Sequence, residues 1–105
     1  SDGTAAKLAH YLKSPFVNLT NVKGLFTADP KKDKNAKFIS HISWKDFAAI
    51  ATKIKFKAGQ HFVLDQQASK VIKNYRIPTY IIGPELNNLE KILKNKPFTG
   101  TLIVN

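Results

Sequence analysis

The sequence predicts an α/β domain built on a mainly parallel β-sheet. Short apolar runs typical of strands alternate with segments whose apolar residues recur at helical spacing. Along the 105 residues the order is helix, strand, long loop, two helices, strand, helix and strand. Alternation of this kind indicates crossover units, which make the strands parallel and cover both faces of the sheet with helices. The length suits one small domain, or a piece of a larger one.

A helix is predicted over residues 3–13 and a short buried strand over residues 16–20. Four apolar residues of the helix recur at helical spacing: Ala5, Leu8, Ala9 and Leu12. Asp2 is the expected N-cap, because its carboxylate can accept hydrogen bonds from the first free backbone N–H groups. Pro15 ends the helix, since proline disfavours helical backbone in the residue before it.

The middle of the chain is predicted as an extended segment followed by two helices. Residues 36–43 are extended, and Ser43 caps the helix that follows. The next helix begins at about His61 or Asp65 and runs to Tyr75. Three of its apolar residues are expected to face inward: Ala68, Val71 and Ile72.

The last third of the chain predicts two apolar strands around one helix. Residues 79–83 and 97–105 contain the strands, and residues 85–94 contain the helix. In open parallel sheets, ligands bind beyond the carboxyl ends of the strands. The loop at 20–37 leaves such an end, so its position alone makes it a candidate ligand loop.

The composition is strongly basic and contains no cysteine. Seventeen Lys and Arg stand against seven Asp and Glu, which gives a net charge of +10 and favours anionic partners. Arg76 is the single arginine, whereas base and phosphate recognition by nucleic-acid binders relies on arginine forks. The lysine excess is therefore more typical of general surface charge. The absence of cysteine removes disulfides, thiolate nucleophiles and cysteine-held zinc. The absence of cysteine agrees with a cytoplasmic protein, which we expect here. No apolar run is long enough to span a membrane.

The candidate ligand loop combines hydrogen-bonding, aromatic, acidic and cationic residues. Thr20 and Asn21 offer a hydroxyl and an amide at the strand exit, and Phe26 and Asp29 offer a ring face and a carboxylate. Lysines follow at four of the next eight positions: Lys31, Lys32, Lys34 and Lys37. A nucleotide needs this combination for its base, its ribose and its phosphates. Asp2 lies at the start of the first predicted helix, where free backbone N–H groups attract anions.

Each of these features also has a purely structural explanation. An aspartate at a helix start serves as an N-cap, a phenylalanine fills a core, Asp-Pro initiates a turn and a lysine run is solvated. The three histidines fall at no metal-ligand spacing, so no metal site is predicted. The two standard glycine-rich phosphate motifs and the serine nucleophile motif are absent. Spacing alone therefore leaves both explanations open.

Three stretches of the chain resemble the amino-acid kinase superfamily. "TNVKGLFTADPKKDKNAK" (20–37) resembles its Thr-x-Val-Asp-Gly-x-aromatic-Thr-Ala-Asp-Pro segment, and "SDGTAAKLAHYL" (1–12) resembles the helix upstream of that segment. "KAGQHFVLDQQASKVIKNYRIPTYIIG" (57–83) with "GTLIVN" (100–105) is similar to the archaeal-type uridine monophosphate kinases. Lys23 departs from the pattern, because the family usually has aspartate there.

The resemblance implies a three-layer α/β/α sandwich, of which residues 1–105 form the C-terminal, ATP-binding half. It places Thr20, Phe26 and Asp29 at ATP. Asn21 joins them because of its position at the strand exit, and our hypothesis adds Lys32 or Lys57 near the phosphates. Ser1 and Asp2 match the end of the segment that holds the acceptor's phosphate. Asp2 also matches the aspartate that organises the catalytic groups. The cofactors implied are ATP and Mg²⁺.

The expected activity is phosphoryl transfer from ATP to uridine monophosphate (UMP), with a complementary N-terminal half and hexameric assembly implied by the resemblance. The chain begins at Ser1 without methionine, so we expect a fragment or one half of a split protein that is inactive alone. One alternative is a non-catalytic nucleotide-binding or regulatory module, and another is a kinase of the aspartate or acetylglutamate type. A third, nucleic-acid binding through lysines, is disfavoured because Trp44, on a predicted helix, is expected in the core rather than on a stacking surface.

Overall fold

The computed structural model describes residues 2–20, 22–28, 30–53, 64 and 66–105, and these contain four helices and six strands. In chain order they are α1 (Asp2–Tyr11), β1 (Phe16–Leu19), β2 (Leu25–Phe26), β3 (Phe38–Ile39), β4 (His41–Ile42), α2 (Trp44–Lys53), α3 (Gln66–Tyr75), β5 (Thr79–Ile82), α4 (Leu86–Leu93) and β6 (Gly100–Ile103). The predicted alternation of helices and strands is confirmed. Among the described residues, no helix is both long and apolar enough to cross a membrane.

The main sheet has four strands in the order β1-β5-β6-β4, and β2 and β3 form a separate two-stranded sheet. β1 is parallel to β5, and β4 is parallel to β6, whereas β5 and β6 are antiparallel. Two of the three pairings are therefore parallel, as the prediction of a mainly parallel sheet requires. β2 and β3 are antiparallel and pair Leu25 with Ile39 and Phe26 with Phe38.

The core lies between one face of the main sheet and helices α1, α2 and α3. Phe16, Ile81 and Ile103 point from this face into a single buried cluster that includes Phe47 of α2. The predicted inward face of α3 is confirmed, since Ala68, Val71 and Ile72 are all buried. On the opposite sheet face Val17 and Leu102 are half-buried, whereas Ile82 is fully buried. The buried hydrophobic cluster lies on the side of the sheet that α1, α2 and α3 cover.

The start of α2 follows the predicted capping chemistry. The Ser43 hydroxyl accepts a hydrogen bond from the Asp46 amide at 3.1 Å, which satisfies one of the free N–H groups of the first turn. Trp44 is half-buried against the core, and its indole N–H donates to the Ile77 carbonyl at 3.0 Å. The expectation that Trp44 belongs to the core is thus confirmed.

The apolar face of α1 differs from the one that its sequence periodicity suggested. Only Ala9 of the four spaced apolar residues is buried, while Leu8 is 56% and Leu12 is 61% exposed. The buried face consists instead of Gly3, Ala6 and Ala9. These small residues allow α1 to pack closely against α3, and a Cβ on Gly3 would lie 3.1 Å from the Gln67 side chain. Close helix packing, which a periodicity of large apolar residues does not reveal, decided the orientation of α1.

Three helices end with the same backbone geometry. One residue at each helix end has left-handed backbone, and the amide of the next residue donates a hydrogen bond to the carbonyl five positions earlier. This is the Schellman pattern. The three hydrogen bonds are Ser14 to Ala9, Ile77 to Ile72 and Lys96 to Lys91. The left-handed residues are Lys13, Arg76 and Asn95, with φ of 54°, 49° and 55°. Only Asn95 is of a type that favours this conformation. α1 therefore ends at Tyr11, ahead of the stop that Pro15 predicted.

Candidate functional site

The candidate loop leaves the main sheet at an edge where two parallel strands end together. β1 and β5 run side by side, and the Thr20 amide donates a hydrogen bond to the Ile82 carbonyl at 2.9 Å. A Cβ on Gly83 would lie 3.3 Å from the Val22 carbonyl oxygen and 3.5 Å from the Lys23 Cα atom. The loop thus crosses directly over the end of β5, at the carboxyl edge where α/β proteins bind ligands.

Beyond this crossing, the loop folds back on itself as the β2–β3 hairpin. Strand pairing continues past β2, since the Thr27 amide donates to the Lys37 carbonyl and the Lys37 amide donates to the Thr27 hydroxyl, both at 2.9 Å. Phe26 and Phe38 face each other across the two strands, with ring centroids 5.4 Å apart in an edge-to-face arrangement. Phe26 is half-buried, so part of the residue remains accessible to solvent.

The tip of the hairpin carries a cluster of positive charge on an ordered turn. The Asn35 amide donates to the Asp33 carboxylate at 2.8 Å, and the Ala36 amide donates to the Asp33 carbonyl at 3.2 Å. This Asx-type turn orders the backbone of the lysine-rich segment. The exposed lysines of the tip are Lys31, Lys32, Lys34 and Lys37. The hairpin therefore carries an aromatic pair along its strands and several cations at its tip, a combination that suits an anionic ligand with a ring.

Lys23 lies against the aromatic pair. Its ammonium nitrogen is 4.5 Å from the centroid of the Phe38 ring and 5.8 Å from that of the Phe26 ring. Both distances are within the range of a cation–π contact. The lysine that departs from the resembled motif therefore adds a cation to the hairpin instead of the carboxylate usual there.

A buried threonine, which sequence reasoning did not single out, fastens the hairpin to the main sheet. The hydroxyl of Thr101 in β6 accepts a hydrogen bond from the Leu25 amide at 2.8 Å and donates one to the Ile39 carbonyl. Gly24 makes room for it, since a Cβ there would lie 2.7 Å from the Thr101 hydroxyl oxygen and 2.8 Å from the Phe38 ring. The closing "GTLIVN" motif contained this residue, but nothing in the sequence indicated which segment it would contact.

The helix starts lie at the same edge as the hairpin. The C-terminal ends of α1 and α3 meet at the opposite edge, where residues 7–15 and 75–78 line a groove of about 820 Å³. The N-terminal ends of both helices therefore lie at the carboxyl edge of the sheet, where Gly3 lies against the Gln67 side chain. This places the backbone of Asp2 at the same edge of the sheet as the hairpin. The Asp2 side chain lies outside the described part of the structure.

Three of the predicted site residues can be compared with the structure in full. Thr20 and Phe26 lie along the strand exit and the hairpin, and Lys32 lies at its tip. Ser1, Asn21, Asp29 and Lys57 lie outside the described residues, so their assigned roles stay predictions. In the part of the chain that is described, no three His, Asp or Glu side chains gather closely enough to hold a metal ion.

The described geometry defines a class of protein: an α/β protein with an aromatic and cationic hairpin at the carboxyl edge of its sheet. A family model supports a narrower assignment, because residues 1–83 match the model of the amino acid kinase family. The chain belongs to this family.

Individual relatives agree with the family model. The uridylate kinase of Archaeoglobus fulgidus is 38% identical over 104 residues, which cover 98% of this chain and 47% of that protein. Its crystal structure superposes with a TM-score of 0.82 at 34% identity, over 99% of this chain and 46% of that one. Aspartokinase III of E. coli, solved with aspartate and ADP, gives a TM-score of 0.65 at 30% identity, over 99% of this chain and 20% of that one.

These comparisons confirm the predicted resemblance and fold class. The four-helix, mainly parallel architecture is that of the amino acid kinase fold, and the similarity to archaeal uridylate kinases extends over nearly the whole chain. The chain spans about half the length of the curated relatives that it matches.

Proposed function

We propose that this chain is the ATP-binding half of a nucleoside monophosphate kinase, which transfers the γ-phosphoryl group of ATP to UMP and releases UDP and ADP. The observation that carries the proposal is the β2–β3 hairpin, which holds a half-buried aromatic ring and a cluster of lysines at the carboxyl edge of the sheet. The similarity to relatives named uridylate kinase supports UMP as the acceptor.

Phosphoryl transfer depends mainly on positioning and on charge stabilisation, and it requires little covalent chemistry from the protein. In the proposed site, Phe26 provides a face for the adenine ring, while Thr20 and Asn21 hydrogen bond the nucleotide at the strand exit. Asp29 accepts a hydrogen bond from the ribose or the base amine. Lys32 and Lys57 lie near the phosphates, whose negative charge the lysine-rich tip attracts.

The start of α1 is proposed as the place where acceptor and donor phosphates meet. The resemblance to the family assigns Ser1 and Asp2 to the phosphate of UMP, and the free N–H groups of a helix start, which attract anions, are compatible with that role. Asp2 is assigned the additional role of orienting the catalytic groups. Mg²⁺ is assigned to the phosphates of ATP, which it would bridge.

A complementary N-terminal half is proposed to complete the enzyme, so that the 105-residue chain alone is inactive. Within the described sheet, β1 pairs only with β5 and forms one edge. Leu19 at the end of this strand is 60% exposed, and Leu8, Tyr11 and Leu12 of α1 are also exposed. An open sheet edge and exposed apolar side chains favour a further part of the protein that covers them. Assembly into hexamers and a cytoplasmic location complete the proposal.

The proposal is tested on the complete protein by measuring UDP formation from UMP and Mg-ATP. Phe26→Ala should raise the KM for ATP by about tenfold or more, because base–aromatic stacking contributes on the order of 1–3 kcal/mol. Phe98→Ala is the matched control, since Phe98 is also half-buried and packs edge-to-face with Tyr80 at the same 5.4 Å centroid distance. Equal KM values for the two variants would remove Phe26 from the site.

A non-catalytic nucleotide-binding module is the second candidate, and Lys23 favours it. A lysine in place of the usual aspartate reverses the charge beside the proposed ATP site, where it contacts Phe26 and Phe38. Such a module would be stabilised against thermal unfolding by Mg-ATP more than by Mg-GTP, yet the complete protein would form no UDP. Phosphorylation of aspartate or acetylglutamate in place of UMP would instead indicate the other kinase types of the family.

A further inference from the structure

Thr101 bridges the two strands of the hairpin through one hydroxyl group. Leu25 and Ile39 stand directly opposite each other in the β2–β3 pairing. The Thr101 hydroxyl accepts a hydrogen bond from the Leu25 amide at 2.8 Å and donates its own proton to the Ile39 carbonyl. A residue of β6 thus hydrogen bonds to both strands of a hairpin that lies more than 60 positions earlier in the chain.

The surroundings of this hydroxyl make the contact rigid. Thr101 is fully buried, and Leu25 is only 2% exposed, so water does not compete for the Leu25 N–H group. Gly24 lies against the same hydroxyl, so closely that a Cβ atom at this position would be only 2.7 Å from the hydroxyl oxygen. Thr101 is also held by the sheet itself, because it pairs with Ile81 of β5. The hairpin is therefore tied to β6 by a buried hydroxyl, next to the backbone hydrogen bond from the Leu102 amide to the Ser40 carbonyl at 3.0 Å.

We propose that Thr101 is a positioning residue for nucleotide binding: it sets the angle of the hairpin against the main sheet and thereby the position of the Phe26 ring. Phe26 is the neighbour of Leu25, so the Leu25–Thr101 hydrogen bond determines how far the ring stands from the strand exit at Thr20. The inference rests on the proposed function, because it assigns Thr101 to the ATP side of the site. Thr101 itself touches neither substrate.

Thr101→Val removes the hydroxyl but keeps the shape of the side chain, and it leaves the Leu25 N–H group buried without its partner. Thr101→Ser restores the hydroxyl. Thr79→Val is the matched control: Thr79 is also fully buried in the main sheet, and its hydroxyl donates to the Ile77 carbonyl at 2.8 Å, at the opposite edge. All variants are made in the complete protein. The measurements are KM for ATP, KM for UMP, kcat and hydrogen exchange at the Leu25 amide.

Thr101→Val should raise the KM for ATP about tenfold, because a buried donor that loses its partner is costly, and the KM for UMP should stay within about twofold. Thr101→Ser should return the KM for ATP to within about twofold of wild type, and Thr79→Val should leave it unchanged. Equal rises in both KM values, or the same effect from Thr79→Val, would indicate general destabilisation and overturn the inference.

Hydrogen exchange separates this inference from the proposed function. If the wild-type protein does not bind ATP, the proposed function fails, and the assignment of Thr101 to ATP fails with it. The Leu25 amide of the wild-type protein must still exchange slowly if Thr101 holds the hairpin, and this measurement requires no variant to fold. If the protein binds ATP but the Leu25 amide exchanges fast, the role of Thr101 is refuted and the proposed function still stands.

Discussion

Replacing Gly24 with alanine should detach the hairpin from the main sheet. The new Cβ atom would lie 2.7 Å from the Thr101 hydroxyl oxygen, 2.8 Å from a Phe38 ring carbon and 3.2 Å from the Thr101 backbone nitrogen. The first two distances are well inside van der Waals contact, and the atoms concerned belong to a buried strand and a packed ring. Neither can move away freely, so the hairpin must shift and lengthen the Leu25–Thr101 hydrogen bond.

The expected cost follows from these two effects. Overpacking of a buried site costs about 1–3 kcal/mol, and loss of a buried hydrogen bond adds about 1 kcal/mol, so Gly24→Ala should lower the free energy of unfolding by about 2–4 kcal/mol. For a domain of this size, the melting temperature should fall by roughly 10–20 °C. Urea titration and thermal unfolding of the 105-residue chain measure both quantities.

Gly83→Ala is the matched control for this change. Its Cβ would approach the Glu85 carboxylate at 2.8 Å, but that group ends an exposed side chain that can rotate away, and the nearest backbone atom is 3.3 Å distant. Its cost should stay below about 1 kcal/mol. A Gly24→Ala variant no less stable than Gly83→Ala would show that the contact between the hairpin and Thr101 is loose, and the reasoning about the site would fail with it.

Three further changes test other parts of the structure. Arg76→Gly should raise the free energy of unfolding by about 1 kcal/mol in urea titration, because glycine adopts left-handed backbone without steric cost. Asn95→Gly should give a smaller gain, and equal gains would contradict this account. Ser43→Ala should lower the free energy of unfolding by about 1 kcal/mol through loss of the helix cap; an unchanged urea midpoint would refute the cap. Lys23→Asp should weaken Mg-ATP binding to the complete protein by about threefold or more in calorimetric titration, with a flatter salt dependence, because it replaces a cation beside the proposed ATP site with an anion. Unchanged affinity would show that Lys23 has no electrostatic interaction with the bound nucleotide.

Local signals in the sequence were sufficient wherever neighbouring residues determine the conformation. The Ser43 cap was predicted because a hydroxyl three residues before a free amide forms the same hydrogen bond in any context. The inward face of α3 was predicted because Val71 and Ile72 have few alternatives to burial. The candidate ligand loop could be located for a related reason, since an apolar strand followed by polar residues marks a strand exit in any α/β protein.

Local signals failed in two places. In α1 the deciding partner lay far away in the chain. Leu8 and Leu12 are exposed because α1 packs on α3 through glycine and alanine, and only the folded chain shows how closely the two helices approach. The left-handed ends at Lys13 and Arg76 were not predicted either. In these two cases the backbone hydrogen bonds at the helix end outweigh the modest steric cost of a side chain.

The order of helices and strands, the mainly parallel sheet and the family were determined by the sequence, because apolar spacing and motifs are properties of short segments. The attachment of the hairpin to the sheet was determined by tertiary structure alone. Thr101 and Leu25 are separated by 76 positions, and no local rule connects them. The strand order brings β6 beside the hairpin, and burial makes a single hydroxyl the polar partner that Leu25 and Ile39 share.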